Sequence, residues 1–267
     1  MRARVEAEEV KEAREIKEKS GGVAAFFDLD GTLVAPPSLE RRFFGMLRYR
    51  RAIPAKNYLL WFRDAVQLAP RGVSRMVQTN KMYLRGIAVN PWSTAGLNPA
   101  PKFYREGLER IAWHAGKGHR IVLLSGTLEP LLQAAARTLE SELAARGIFL
   151  AIRVRATRLE EVDGHWTGRI QGEAMFGAAK GRAAKRIALE MNLNLAESYA
   201  YGDSADDRWL LSAVGRPFAV NPAAELGRLT RMLGWPSLSW VGKEDLAQRR
   251  RVRREIEHKK ALPRMIA

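Results

Sequence analysis

The sequence predicts an α/β protein built on a parallel sheet, with one all-helical insertion and a small β-hairpin. Three observations predict it. Apolar runs of strand length recur and end in Gly, Asp, Ser or Pro: VAAFFDLDGT (23–32), HRIVLLSGT (119–127), SYAYGDS (198–204) and RPFAVNP (216–222). Helical patterning follows each later run, and strands alternating with helices make a parallel sheet. Between the first two runs lies a block of helix formers, bounded by Ala35-Pro36-Pro37 and Asn98-Pro99-Ala100-Pro101.

Residues 3–19 are rich in helix formers, with Lys11/Glu15 and Glu15/Lys19 at i,i+4, so a surface helix is expected. Ser20-Gly21-Gly22 ends it. The run 23–30 is continuously apolar up to its acids, the mark of a central strand buried on both faces. SLERRFFGMLRYRR, NYLLWFRDAVQLA and QTNKMYLRGIAV then read as the helices of the insertion, 36–98. A helix over 102–116 leads into the second strand. EPLLQAAARTLESELAARG (129–147) is a long helix with Pro in its first turn and Gly at its end. Extended strands follow, with Asp163-Gly164 as a hairpin turn. Residues 178–191 and 205–213 read as helices around the third strand, and a helix ending near Gly234 follows the fourth. The expected division is an N-terminal helical extension (1–19), a core (20–35 and 99–240), the insertion (36–98) and a tail (241–267).

Composition bounds the chemistry. The 267 residues include no cysteine, which excludes disulfides and thiolate chemistry and fits a reducing cytoplasm. No stretch of 18 uncharged apolar residues suggests a membrane span, and the N-terminus lacks the apolar segment of a signal peptide. The net charge of +16 is unevenly spread. Residues 36–98 hold eleven Lys/Arg against two acids, and residues 241–267 nine against four. In the insertion, Phe43, Phe44, Tyr49, Tyr58, Trp61 and Phe62 interleave with Arg41, Arg42, Arg48, Arg50, Arg51 and Arg63. Such a face is either merely solvated or an anion-binding surface. A peripheral contact with the inner face of an anionic membrane is the stronger functional reading, and nucleic acid the weaker. Most of these aromatics are expected to form the insertion's own core.

Ligands of a parallel sheet bind beyond the carboxyl ends of its strands. Three strands here end in reactive groups: Asp28-Leu29-Asp30-Gly31-Thr32, Ser125-Gly126-Thr127, and Gly202-Asp203-Ser204-Ala205-Asp206-Asp207. Two carboxylates two residues apart at the end of a buried strand ask for a cation or a proton. Asp28, Asp203 and the main-chain carbonyl near Asp30 are hard oxygen ligands suited to Mg²⁺. Asp28 can then attack phosphorus as a nucleophile, and Asp30 can exchange the proton of the leaving oxygen and the water. Ser125, Gly126 and Lys180 can hold the transferring oxygens. The rival for Lys180 is Lys185. Thr32 serves the turn or the chemistry, and Asp207 supports the metal. Asp206 is expected to be exposed. Ser125 lies in no GxSxG elbow, Lys180 in no Walker loop, and the four histidines in no triad or metal spacing, each reading as a surface or loop residue.

In order and spacing, DLDGT (28–32), LLSGT (123–127), Lys180 and GDSADD (202–207) resemble the four motifs of the haloacid dehalogenase (HAD) superfamily of phosphohydrolases. The resemblance spans roughly residues 23–240. It implies a Rossmann-like core with a C1-type helical cap over the crevice. The helical block just after the first motif is similar to that of subfamily IB, the phosphoserine-phosphatase-like group. In that group a glutamate at the cap entry reads the substrate's amino group; Pro37 stands there, with Glu40 three residues on. Asp206 stands where those enzymes often have Asn. The expectation is a Mg²⁺-dependent phosphomonoesterase acting through an aspartyl-phosphate on a small phosphate monoester, with a lipid-related headgroup suggested by the basic cap. The alternatives are a phosphoserine phosphatase that uses Glu40, and an inactive scaffold binding nucleic acid or anionic membrane.

Overall fold

A computed structural model of the protein describes residues 21–68, 78–89 and 101–240. The expected N-terminal helix and the basic tail lie outside them. Six strands form one parallel sheet in the order β3-β2-β1-β6-β7-β8. They are β1 (Ala24–Phe27), β2 (Arg120–Leu128), β3 (Ile152–Thr157), β6 (Tyr199–Gly202), β7 (Arg216–Val220) and β8 (Ser237–Leu238). Central strand β1 pairs with β2 and β6 and is wholly buried. Its residues alternate between faces. Ala25 and Phe27 enter one apolar core, and Ala24 and Phe26 the other. Each buried phenylalanine removes enough apolar surface from water to contribute about 2 kcal/mol.

Helices cover both faces. On one lie α3 (Arg105–Gly116) and α4 (Glu129–Ala144), which supply Leu108, Ile111, Leu132, Leu139 and Leu143. On the other lie α5 (Ala178–Glu190), α6 (Arg208–Leu211) and α7 (Ala224–Leu233), which supply Ala184, Ile187, Leu210, Leu211 and Leu226. Gly234 ends α7 in the left-handed region at φ 68°. The edge strands β3 and β8 are the sheet members whose place the apolar runs did not announce.

The insertion contributes α1 (Leu39–Tyr49), α2 (Ala55–Leu68) and a 3₁₀ turn at Met82–Leu84. Ser38 caps α1, its hydroxyl accepting from the Arg41 amide. The last described stretch differs from the expected helix. After a turn at Gly86, the chain bridges antiparallel to β5 (His165–Ile170) at Ala88, with hydrogen bonds from Gly86 N to Trp166 O (2.7 Å), Trp166 N to Ile87 O (2.9 Å) and Val89 N to Gly164 O (3.0 Å). β5 pairs in turn with β4 (Leu159–Val162). Their turn has positive φ at both Asp163 and Gly164, the two-residue hairpin geometry that Asp-Gly favours. Phe43, Leu47, Ile53, Tyr83, Leu84 and Ile87 thus share a core with Leu159 and Trp166. The aromatics divide: Phe43 is buried, as expected, whereas Tyr49 is 90% and Phe62 65% exposed.

Candidate active site

The carboxyl ends of β1, β2 and β6 bring the sequence motifs together. Asp28 follows β1 directly, its amide bonded to Tyr201 O of β6 at 2.9 Å. The chain then turns through Gly31, at φ 96°, where a β-carbon would lie 2.1 Å from Asp203 Oδ2. Only glycine lets the Asp203 carboxylate come so close to that turn.

Lys180, from the first turn of α5, donates to Asp28 Oδ1 and to Asp207 Oδ1, each at 2.6 Å. All three side chains are almost fully buried. Lys185, the rival, is exposed. Burial opposes the Lys180 charge, but Asp207 and Asp28 outweigh it and hold the ammonium protonated. Asp207 spends its other oxygen on the amides of Asp203 (3.2 Å) and Ser204 (3.0 Å) and on the Ser204 hydroxyl (2.9 Å), so it shapes the acidic loop.

One ammonium does not balance three carboxylates. Burial raises the Asp28 carboxyl to about 7, against the pull of Lys180 and with the repulsion of Asp207. Burial, then Asp28 and Asp207, raises Asp203 to about 8. Oxygens of Asp28, Asp203 and Asp207 lie within 4.8 Å of one another. Three carboxylates gathered on one ammonium fit a hard divalent cation, whose charge would keep Asp28 and Asp203 ionised. The Asp30 carboxylate is not in this set. It accepts the Leu39 amide at 2.8 Å, tying the motif to the start of α1, and burial raises its pKa. The Asp30 side chain is thus tied to the start of α1, apart from the three clustered carboxylates.

Ser125 and Gly126 lie in β2, where its register with β3 shifts between Leu124 and Leu128. Ser125 Oγ accepts from the Thr127 amide at 3.3 Å, and Gly126 O accepts from the Thr157 hydroxyl at 2.8 Å. A β-carbon on Gly126 would sit 2.0 Å from the Phe176 ring, so this glycine is required by close packing. The Thr32 and Thr127 hydroxyls are buried without a hydrogen-bond partner among the described residues. The sequence names Thr127 with the second strand end but assigns it no role of its own.

Two expectations need correction. Asp206 is half-buried, not exposed: its Oδ2 accepts from Gln78 Nε2 of the insertion at 2.7 Å, a bond across 128 residues of chain. His114 is fully buried, not a surface or loop residue. Its Nε2 pairs with Tyr201 OH (2.9 Å) and its Nδ1 with His119 Nδ1 (2.8 Å). His165 is exposed at the hairpin turn, as expected, and His258 lies outside the described residues. Glu40, the alternative amino-group reader, is also engaged. It pairs with the buried Lys81 and accepts the Tyr83 hydroxyl at 2.7 Å.

Fold and site together define a protein with a parallel α/β sheet, an acidic crevice at the carboxyl edge of that sheet and a helical insertion beside it. The chain belongs to the haloacid dehalogenase-like hydrolase family, whose model matches residues 25–212. A phosphoserine phosphatase of Mycobacterium tuberculosis is 30% identical over 230 residues, covering 79% of this chain and 69% of that protein. A Streptomyces azureus protein named for inhibition of morphological differentiation is 30% identical over 241 residues, covering 85% and 81%. Among solved structures, a Bordetella pertussis protein of unknown function superposes with a TM-score of 0.63 at 24% identity, covering 83% of this chain and all of that one. A substrate-bound phosphoserine phosphatase superposes at 0.54 and 20%, covering 85% and 96%, a likeness of fold. Within the family the chain is a phosphatase of the phosphoserine-phosphatase-like group.

Proposed function

We propose that the protein is a Mg²⁺-dependent phosphomonoesterase working through an aspartyl-phosphate at Asp28. The observation that carries this reading is the buried Asp28–Lys180–Asp207 chain beside Asp203. Asp28 Oδ attacks phosphorus as the bond to the leaving oxygen breaks. Asp30, held at the cap entry by the Leu39 amide, gives that oxygen its proton. It then takes a proton from the water that attacks phosphorus, and Asp28 leaves as a free carboxylate. Lys180, Ser125 and Gly126 orient the phosphoryl oxygens. Asp28, Asp203 and the Asp30 carbonyl would hold Mg²⁺, which lets an anionic phosphate approach an anionic nucleophile. Thr32 supports the turn that carries Asp28 and Asp30.

Phosphate release from a panel of monoesters, with Mg²⁺ or EDTA, tests this. Asp28→Asn is expected to fold and to lose at least ~10³-fold in rate, the scale of removing a covalent nucleophile. Metal-independent release, or release by a folded Asp28→Asn protein, would refute the mechanism. A lipid-related phosphate is a second reading, favoured by α2, which exposes Leu59, Phe62 and Val66 beside Lys56 and Arg63. Cosedimentation with anionic but not neutral vesicles would support it.

A further inference from the structure

A cavity of about 580 Å³ lies in the cap, walled by Phe44, Tyr58, Trp61, Tyr83 and Phe176. That is within the roughly 300–1,000 Å³ of pockets that take whole organic ligands, and far more than a serine side chain fills. Its wall reaches the catalytic loops at three points. Ser38 caps the helix whose first amide binds Asp30, the Phe176 ring lies on Gly126, and Gln78 is bonded to Asp206.

The Arg41 side chain on this wall is exposed, and the more buried polar groups beside the aromatic rings are already engaged. Glu40 is held by Lys81 and Tyr83. Asn80 donates to Trp61 O at 2.7 Å and accepts the Met82 amide at 3.2 Å. A substrate ammonium entering here would find the Glu40 carboxylate neutralised, and desolvating that ammonium without a partner costs several kcal/mol. An uncharged apolar group would instead cover aromatic faces and lose nothing polar.

Resting on the phosphatase reading, we infer that the cavity takes the leaving group, and that this group is uncharged and apolar, not an α-amino acid. An aromatic ring and an alkyl chain share that chemistry, and the test separates them. Initial rates with Mg²⁺ are compared for 2-naphthyl phosphate, decyl phosphate, glycerol 3-phosphate and phosphoserine. The kcat/KM for the naphthyl or decyl ester is expected to exceed that for phosphoserine at least tenfold, the better of the two naming ring or chain. Trp61→Ala and Tyr58→Ala, the latter at a half-exposed wall position, are expected to cut that ratio at least fivefold. Phosphoserine or glycerol 3-phosphate turned over as well as the apolar esters would overturn the inference and leave the phosphatase reading standing. Calorimetric binding to Asp28→Asn separates the opposite failure. If naphthyl or decyl phosphate binds there and Tyr58→Ala weakens it, with no ester hydrolysed by the wild type, the cavity assignment holds and the catalytic reading falls. Neither turnover nor binding of the apolar esters overturns the inference.

Discussion

Single residues at the crevice trade stability for chemistry. Asp28, Asp203 and Asp207 crowd one ammonium, and burial with mutual repulsion raises Asp203 to about 8. Without metal, Asp203→Asn removes a charge that the fold resists, so its melting temperature is expected to equal or exceed that of the wild type. Saturating Mg²⁺ should stabilise the wild type by about 2.7 kcal/mol at a hundredfold excess over Kd. Asp203→Asn should lose that gain along with most activity. A thermal-shift titration reads both effects, and a metal-induced rise undiminished in Asp203→Asn would remove it from the ligand set. On the far side of the sheet, burial, then His119 and Arg110, lowers the His114 pKa from 6.5 to about 3. Phe27, Trp113, Tyr199 and Tyr201 complete its surroundings. A depressed histidine contributes stability that is fully present above the unfolded value of about 6.5 and is lost as pH falls toward 3. The limiting loss is about 5 kcal/mol. Denaturant curves between these pH values should show a shallower acid limb for His114→Phe than for the wild type. Identical limbs would mean that His114 does not carry the effect.

At the level of elements, legibility followed burial. β1 and β2 could be placed because strands buried on both faces are continuously apolar. The Asp163-Gly164 turn was visible because few dipeptides accept positive φ twice. Asp28, Ser125 and Asp203 were legible because they stand at strand ends, and Lys180, in the first turn of α5, through the motif it resembles. Edge strand β3 carries Arg153 and Arg155 in a half-buried run, so no apolar signature marked its place in the sheet. Lys81 was hidden for another reason. A lysine between an asparagine and a methionine carries no sign that it will be buried on a glutamate 41 residues earlier. Lys81→Met should leave Glu40 with Tyr83 alone and destabilise the cap by about 3 kcal/mol, the cost of breaking a buried pair. Hydrogen exchange is the suitable measurement. Faster exchange confined to α1 and α2, with β1 and β2 unaffected, would show that the pair braces the cap; uniform protection would show that it does not.

Across the whole molecule, the insertion meets the sheet domain through a shared apolar cluster that includes Leu128 and Leu131, and through specific polar contacts. Gln78 reaches Asp206, and the Leu39 amide reaches Asp30. No described helix is long and apolar enough to cross a membrane. The sequence suggested one self-contained helical insertion between Pro36 and Asn98. The structure shows its core closed by Leu159 and Trp166, from a hairpin some seventy residues downstream. That hairpin sets a rule for recombination. A chimera that exchanges only residues 36–98 with a relative would pair a foreign lid with a resident Trp166 and leave a seam of mismatched side chains where Phe43 meets that ring edge-on. Crossovers that carry residues 36–98 and 159–170 together keep the lid with its hairpin and leave only the seam with Leu128 and Leu131 to be matched, so the part best traded between members of this family is discontinuous in the chain.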